Sequence, residues 1–185
     1  MFFHPIGKTG FQLACIKGNP DVVELIIQKS AELNIDVKSK CKEYGNTPFH
    51  LACSPNYDSV NESGKLLVAK MIIEKSDELG INLNVKNNCG MQTALHFACI
   101  SGIADIVELI IIKSIDFNIN LNAKNAYGDT ALHHLVTASS MMGRECQNIV
   151  EIFIKNSFKF DIKLDAKDNK GMTAFHLACK DMSIF

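Results

Sequence analysis

Apolar residues in this chain gather in short runs that recur at similar intervals, with polar stretches between them. The clearest runs are 22–27 and 106–112, in which one glutamate interrupts valine, leucine and isoleucine. A helix that is apolar on nearly all faces needs neighbours on several sides. Each run is followed by a serine and a lysine ten residues apart, as in Ser30 and Lys40. We predict that the first half of this connection extends the helix and that the second half, which alternates apolar and polar residues, runs extended.

A motif of nine residues recurs between these runs and predicts a second, shorter helix. It reads Gly-x-Thr-x-Φ-His-Φ-Ala-Cys, where Φ is apolar, and its full or partial copies begin at Gly7, Gly45, Gly90, Gly128 and Gly171. The threonine is a good N-cap, and Pro48 in the second copy takes the first helical position, where its missing N–H costs nothing. The glycine can adopt positive φ where the chain reverses. Each copy therefore predicts a turn followed by a short helix.

The spacing of the motif predicts a stacked solenoid. The histidine position falls at residues 12, 50, 96, 133 and 176, which gives intervals of 38, 46, 37 and 43 residues. A period of about 20–50 residues is typical of repeat architectures, in which each unit packs only on its neighbours. We predict one domain, residues 1–185, with units at approximately 1–37, 38–83, 84–121, 122–164 and a partial 165–185, called units 1 to 5 below. The excess residues of units 2 and 4 fall in the polar loops 54–64 and 139–145, which we expect on one face of the solenoid.

Charge and hydropathy exclude two classes of partner. The 19 basic and 20 acidic residues are interleaved, so no basic stripe is available for nucleic acid. The longest apolar stretch, around 109–112, is far short of the ~20 residues that cross a bilayer, so no membrane insertion is expected. The first residues do not resemble a secretory signal. We expect the protein in the cytoplasm or nucleus.

The seven cysteines favour packing over disulfides. Their number is odd, and four of them occupy the same motif position: Cys15, Cys53, Cys99 and Cys179. A recurring small apolar position is expected to fill core space and to stay reduced in the cytosol. Cys89 lies at a predicted turn and is the thiol that we expect to be exposed.

The His-x-x-Cys pairs are the one arrangement that suggests chemistry. His50 with Cys53, His96 with Cys99 and His176 with Cys179 have a spacing that can place both side chains of a pair on one metal. Successive pairs belong to layers about 10 Å apart, however, and a buried thiol reacts poorly. A metal- or thiol-dependent activity at these pairs stays open as an alternative. Our prediction is that the chain is not an enzyme and has no catalytic residues, metal or cofactor.

These residues resemble the ankyrin repeat, whose Gly-x-Thr-Pro-Leu-His-x-Ala signature they follow almost in order over essentially the whole chain. The resemblance implies an all-α ankyrin-repeat solenoid of stacked antiparallel helix pairs with β-hairpin loops. It also implies that the histidine bonds the threonine hydroxyl or a nearby main-chain carbonyl while the cysteine fills the core. The units are about four residues longer than usual after the second helix, so that region is predicted to be extended. Extra residues near Gly45 and Gly90 predict that these two hairpin tips differ in shape from the others.

In that family the hairpin tips and first helices form a concave groove for protein ligands. Carried over to this chain, the resemblance implies a protein-binding site made of Lys42, Glu43, Tyr44, Asn88, Met91, Gln92, Ala126, Tyr127, Asp129, Asn169, Lys170 and Met172. Tyr44 and Tyr127 are the expected anchors, because tyrosine offers contact area at a low cost in entropy. Packing of each tyrosine on its neighbouring hairpin is the alternative. The implied function is a non-catalytic protein–protein interaction module, such as an inhibitor, decoy or adaptor.

Unit 5 has neither a second helix nor a polar cap, because six residues follow Cys179. An uncovered last layer of a repeat array exposes apolar surface. Two interpretations remain. The chain is a recognition fragment of a larger ankyrin-containing adaptor or channel, which we favour, or this end docks on another molecule and causes oligomerisation.

Overall fold

The computed structural model describes residues 7–55, 61–138 and 144–182, with side chains up to Lys180. Ten helices lie in these ranges, and we number them in chain order: α1 Gly10–Lys17, α2 Pro20–Lys29, α3 Pro48–Ala52, α4 Glu62–Glu74, α5 Ser76–Leu79, α6 Ala94–Ser101, α7 Ala104–Lys113, α8 Ala131–Thr137, α9 Arg144–Asn156 and α10 Ala174–Met182. The described residues contain no regular strand, only an isolated antiparallel bridge between Lys167 and Thr173. Most of the two inserted loops, 56–60 and 139–143, lies outside the described residues.

The first helix of each unit begins directly after the motif threonine, as predicted. Thr9 and Thr47 accept hydrogen bonds from the main-chain N–H of the third helical residue, at 3.2 and 3.4 Å between N and Oγ1. Thr93 and Thr130 are the N-caps of α6 and α8. Pro48 is the first residue of α3, where no N–H is needed.

Two rows of helices form the all-α solenoid that the sequence predicts. The first helices α1, α3, α6, α8 and α10 pack on one another in order, and the second helices α2, α4, α7 and α9 form a second row. The core is continuous from unit to unit and is filled by apolar side chains such as Val23, Ile72, Ile110 and Phe153. Burial in the inner units therefore depends on a neighbour at each side.

One wide turn explains why each unit is longer than the usual ankyrin repeat. Four residues after the recurring serine, the chain adopts a left-handed conformation, with φ of 51° at Asn34, 61° at Gly80 and 49° at Asn118. The next residue then donates back to the serine carbonyl, for example from Ile35 N to Ser30 O at 2.9 Å. The second helix is thus extended by a closed turn of the type that ends many helices.

The connection after this turn is not fully extended, which corrects the prediction. In unit 1, Asp36 Oδ1 accepts from Lys38 N at 2.8 Å. In unit 3, Asn120 Oδ1 accepts from Asn122 N at 3.0 Å. These bonds close a second turn, because Asp and Asn side chains readily bond the main chain two residues on.

Helix α4 begins earlier than predicted. The loop was expected to continue to Gly64, yet Glu62, Ser63 and Gly64 form the first turn of α4. Asn61 caps this turn by accepting from Gly64 N at 3.0 Å, and its Nδ2 donates to Gly18 O at 2.8 Å. In unit 4, Arg144 and Glu145 likewise belong to α9 and not to the loop. Part of each insertion therefore lengthens a second helix, to 13 residues instead of the 10 of α2.

Asparagine side chains tie successive connections between second helix and hairpin tip together along one exposed edge. Asn84 Nδ2 donates to Asn118 O at 2.8 Å, and Asn84 Oδ1 accepts from Asn120 N at 2.7 Å. Asn122 makes the same pair of bonds with Asp161 O and Lys163 N in the next connection. No helix in the described ranges is long and apolar enough to cross a membrane.

Candidate binding surface

Each hairpin tip is closed by a main-chain hydrogen bond at its base. In units 2 and 3 the bonds run from Cys41 N to Asn46 O and from Asn87 N to Gln92 O, both 2.8 Å. In units 4 and 5 the corresponding bonds enclose one residue fewer, as in Asn125 N to Asp129 O. The sequence-based prediction that the tips near Gly45 and Gly90 differ in shape is therefore confirmed.

Main-chain hydrogen bonds also join the four tips side by side. Asn88 N donates to Tyr44 O at 2.9 Å, and Ala126 N donates to Gly90 O at the same distance. Asn169 N donates to Tyr127 O at 3.1 Å. The tips of units 2 to 5 therefore form one continuous row.

Glycine is required at Gly128, where two tips meet. Its φ is +80°, and a Cβ there would lie 2.6 Å from Asn169 N and 2.3 Å from Asn169 Oδ1. The left-handed backbone is costly for other residues, and these contacts leave no room for a side chain.

The motif histidines brace this row from below. His50 Nδ1 accepts from the Thr47 hydroxyl at 2.7 Å and from Thr47 N at 3.2 Å. Because Nδ1 accepts, we assign the ring proton to Nε2, which donates to Gln92 O in the next tip at 2.9 Å. His96 and His133 repeat this arrangement with Asp129 O and Met172 O. The role that the resemblance implies for the histidine is confirmed.

The electrostatics of these histidines follow from burial. Burial lowers the pKa of His50 and of His96 to about 4, although the hydrogen bonds to the carbonyls of Gln92 and Asp129 oppose the shift. Both rings are therefore neutral at pH 7. In unit 1, Gln12 makes the hydrogen bonds that histidine makes in the other units. Its Oε1 accepts from Thr9 N and its Nε2 donates to Ser39 O.

The His-x-x-Cys pairs are built for packing. Both nitrogens of His50 are used in hydrogen bonds, so neither is left to bind a metal. Cys53 is fully buried, and burial raises the pKa of its thiol to about 12. Within the part of the chain that the structure describes, no group of three or more His, Cys, Asp or Glu side chains is placed to hold a metal ion.

The structure corrects the expectation for Cys179. Cys15, Cys53 and Cys99 are buried, but Cys179 at the same motif position is exposed, and so is Cys89 at its tip. Within the described residues of unit 5 no second helix follows α10 to cover Cys179. The cysteines outside the motif position also differ from one another in exposure. Cys41 and Cys146 are buried, whereas Cys89 is exposed.

The twelve residues implied for the binding site all lie on or beside the row of tips. Eight are exposed: Lys42, Glu43, Asn88, Met91, Ala126, Tyr127, Asn169 and Lys170. Four are half-buried: Tyr44, Gln92, Asp129 and Met172. Tyr127 is 69% exposed. The hydrogen bond from the Tyr44 hydroxyl to Glu43 raises the pKa of that tyrosine. Their part in binding stays a prediction.

Two further side chains extend this surface and were missed from the sequence. Phe97 and His134 are half-buried and directly follow the motif histidine in units 3 and 4. Phe97 packs edge-on against His50 at 5.4 Å between ring centroids, and His134 packs against His96 at 5.8 Å. Burial lowers the pKa of His134, and Asp129 opposes this shift. For His134, the sequence did contain a signal, because a histidine stands there at a motif position that is otherwise apolar.

Comparison with known families identifies the repeat. Three copies of the family model for ankyrin repeats match residues 61–162, which is more than half of the chain. A single ankyrin-repeat model also matches residues 7–38. The chain belongs to the ankyrin-repeat family. No curated protein matches it closely enough to count as a relative.

Membership of this family indicates the general function of the chain. Ankyrin repeats generally mediate protein–protein interaction, and ankyrin-repeat proteins are typically non-catalytic interaction modules. A protein partner is therefore implied for this ankyrin-repeat chain.

Proposed function

We propose that this chain binds a protein partner through the row of hairpin tips and the adjacent first helices. The observation that carries the proposal is the set of main-chain hydrogen bonds between neighbouring tips, such as Asn88 N to Tyr44 O. Loops that are already ordered lose little conformational entropy on binding. A row fixed in this way favours recognition by a rigid surface over folding of a flexible segment.

The side chains on this row suit a protein interface. Tyr127 and Met91 are exposed large apolar groups, and Phe97 and His134 lie half-buried beside them. Aromatic residues and methionine are enriched in interfaces, where a few buried anchors carry most of the binding energy. Charges of both signs, including Lys42, Glu43 and Lys170, surround these anchors and form a polar rim.

The proposal includes the wider role expected from the sequence. The chain acts as an inhibitor, decoy or adaptor in the cytoplasm or nucleus, without catalysis, metal or cofactor, and it does not bind nucleic acid. Oligomerisation through the last unit is a separate part of the proposal and involves a different surface. The exposed Phe175 and His176 on α10 support that part.

Affinity capture from cell lysate tests the binding surface. The wild type is compared with a Tyr44→Ala/Tyr127→Ala double variant, and bound proteins are identified by mass spectrometry. The matched control is Leu25→Ala/Leu33→Ala, since both leucines are exposed in unit 1 outside the proposed site. Circular dichroism and urea unfolding establish that all variants are folded.

We expect a partner that the wild type and the control retain and that the tyrosine variant loses. If the tyrosine variant captures the same proteins as the wild type, the row of tips is not the binding surface. If the leucine variant alone loses the partner, the binding site lies on unit 1.

A further inference from the structure

Three lysines stand in a file at the base of the row of tips. Lys40, Lys86 and Lys124 each directly precede the residue whose main-chain N–H closes a tip. Lys40 Nζ donates to Lys86 O at 3.1 Å, Lys86 Nζ donates to Lys124 O at 2.6 Å, and Lys124 Nζ donates to Lys167 O at 2.7 Å. We call Lys40, Lys86 and Lys124 the lysine ladder. These bonds fix one ammonium group at the base of each of three successive tips.

The lysine ladder lies close to the histidines that brace the tips. Burial is the main cause of the low pKa of His50 and His96, and the ammonium groups of Lys40 and Lys86 lower it further. Their charges therefore act on the base of the row of tips. Lys40 and Lys124 are exposed and Lys86 is half-buried, so a molecule bound to the tips can reach all three.

The lysine ladder has no acidic partner within the ranges that the structure describes. Every ion pair found there joins a lysine and a glutamate on a second helix or directly after it, such as Lys70 and Glu74. Carboxylates are not scarce, because the chain has 20 acidic residues and a net charge of −1. The bond to a carbonyl uses one of the three donors of each ammonium group. Two donors of each are thus left for an acceptor outside the chain.

The spacing of the ladder selects the kind of acidic partner. Successive layers of packed helices lie about 10 Å apart, so the ladder has one positive charge in about that distance. A polyproline II segment has three residues per turn and rises about 3.1 Å per residue. Acidic residues at every third position of such a segment lie on one face and match the ladder.

The same spacing does not suit nucleic acid. A DNA duplex has one negative charge in about 1.7 Å of its length, which is far denser than the positive charges of the ladder. The tips beside the ladder also carry the carboxylates of Glu43 and Asp129, one exposed and one half-buried. These groups repel a continuous phosphate backbone, whereas a protein segment with few, spaced carboxylates avoids them.

We propose that the lysine ladder binds an acidic segment of a protein partner, with one carboxylate on each ammonium group and about 10 Å between successive carboxylates. This inference rests on the proposed function, because it names the chemistry of the partner that the row of tips binds. The apolar anchors Tyr127 and Met91 supply affinity. The ladder supplies specificity and register, as complementary charges do at other interfaces. Because its ammonium groups are already held in place, little conformational entropy is lost on binding.

An NMR titration of the purified chain with two synthetic peptides tests the spacing. The first peptide has four Glu-Pro-Pro triplets, and the second has four glutamates followed by eight prolines, so both have the same composition and charge. Low ionic strength is used, since salt screens exposed charges. We expect the spaced peptide to shift the amide signals of Asn87 and Asn125, next to the ladder. It should bind at least about threefold more tightly than the clustered peptide.

Matched lysine variants show whether the ladder is the site. Lys86→Gln/Lys124→Gln should bind the spaced peptide at least about fivefold more weakly, because one exposed ion pair changes a binding constant by up to about fivefold. Lys70→Gln/Lys155→Gln removes the same charge from exposed positions on α4 and α9 and should bind as the wild type does. Lys86→Arg/Lys124→Arg keeps the charge and should retain binding. Circular dichroism establishes that each variant is folded.

Four results would overturn the proposal. They are no shift at millimolar peptide, equal affinity for the two peptides, unchanged affinity in Lys86→Gln/Lys124→Gln, and tighter binding of a thymidine oligonucleotide that this variant weakens. The last result would mean that the ladder recognises phosphate.

The titration can fail independently of the proposed function. It uses purified protein and needs no partner from a lysate. Tyr44→Ala/Tyr127→Ala leaves the ladder intact, so this variant should bind the spaced peptide normally while it loses the captured partner. A wild type that captures its partner through the tyrosines but ignores the spaced peptide would keep the row of tips as the binding surface and remove only the acidic segment.

Discussion

Phe49 in unit 2 and Phe175 in unit 5 occupy the same position of the motif, yet Phe49 is 2% exposed and Phe175 is 43% exposed. The same contrast holds for His50 and His176 and for Cys53 and Cys179. Local structure does not explain it, because Thr173 and His176 make the same hydrogen bonds to each other as Thr47 and His50 do. The motif builds the first helix in every unit. The following unit buries it.

The largest expected effect is the difference in stability loss between a buried phenylalanine of unit 2 and the half-exposed one of unit 5. Phe49→Ala removes a fully packed ring and should lower the free energy of unfolding by about 3–5 kcal/mol. Phe175→Ala should cost only about 1–2 kcal/mol, because much of that ring already contacts water. Urea unfolding of both variants measures the difference. Equal losses would mean that unit 5 is covered as well as unit 2.

Acid should destabilise the protein through the inner histidines. His50 and His96 have a pKa of about 4 in the folded protein, whereas the pKa of an unperturbed histidine is about 6.5. The unfolded chain therefore binds more protons than the folded chain between these values, and stability falls as the pH drops from 6.5 towards 4. At about 1.4 kcal/mol per pKa unit, each histidine contributes about 3 kcal/mol to this loss. Urea unfolding at several pH values measures the slope.

The chain itself suggests the control for this prediction. Unit 1 uses Gln12 in place of histidine and keeps both hydrogen bonds. His50→Gln/His96→Gln should therefore flatten the pH dependence between 6.5 and 4. A wild-type slope that persists in the double variant would assign the acid sensitivity to other groups.

Two tip glycines should respond differently to alanine. Gly128 and Gly171 have similar φ values of +80° and +78°, but only at Gly128 would a Cβ meet the next tip, while nothing lies within 4 Å at Gly171. We expect a loss of about 1 kcal/mol for Gly171→Ala from the backbone alone. Gly128→Ala should lose about 2–3 kcal/mol, since Asn169 must also move. Thermal unfolding checks the order, and a larger loss for Gly171→Ala would contradict the contact between the tips.

The smallest expected effect is a local one, a difference in reactivity between exposed and buried cysteines. Cys179 and Cys89 should react rapidly with iodoacetamide in the native protein because both are exposed. Cys53 and Cys99 should react only after unfolding, because burial raises their pKa and blocks access. Mass spectrometry of peptides after timed alkylation gives the rate at each site. Protection of Cys179 would show that the outer face of unit 5 is covered in solution.

Prediction from sequence succeeded where the cause is local. Thr47, Pro48 and the glycines before the tips act within one turn of the chain, so the starts of the first helices and the shapes of the tips could be predicted. The prediction that the connection after Asn34 runs extended was wrong in part, because the side chain of Asp36 accepts from the main chain two residues on and closes a turn. The predicted start of α4 was also wrong, because Asn61 caps a helix in a segment whose composition is typical of a loop.

The position of the candidate site could be predicted from the sequence, but not all of its residues could. The resemblance implied the row of tips, and the structure places all twelve of its residues there. Phe97 and His134 were missed because their relation to the tips depends on how neighbouring units stack.

The sequence by itself determined the repeat, its two helices, the histidine brace and the family, since each depends on residues a few positions apart. Only the tertiary structure decided which copies of the motif are buried and which tips touch. The physical reason is that a repeat buries nothing on its own. Its environment is made by the units on either side, and a motif read along one unit contains no information about them.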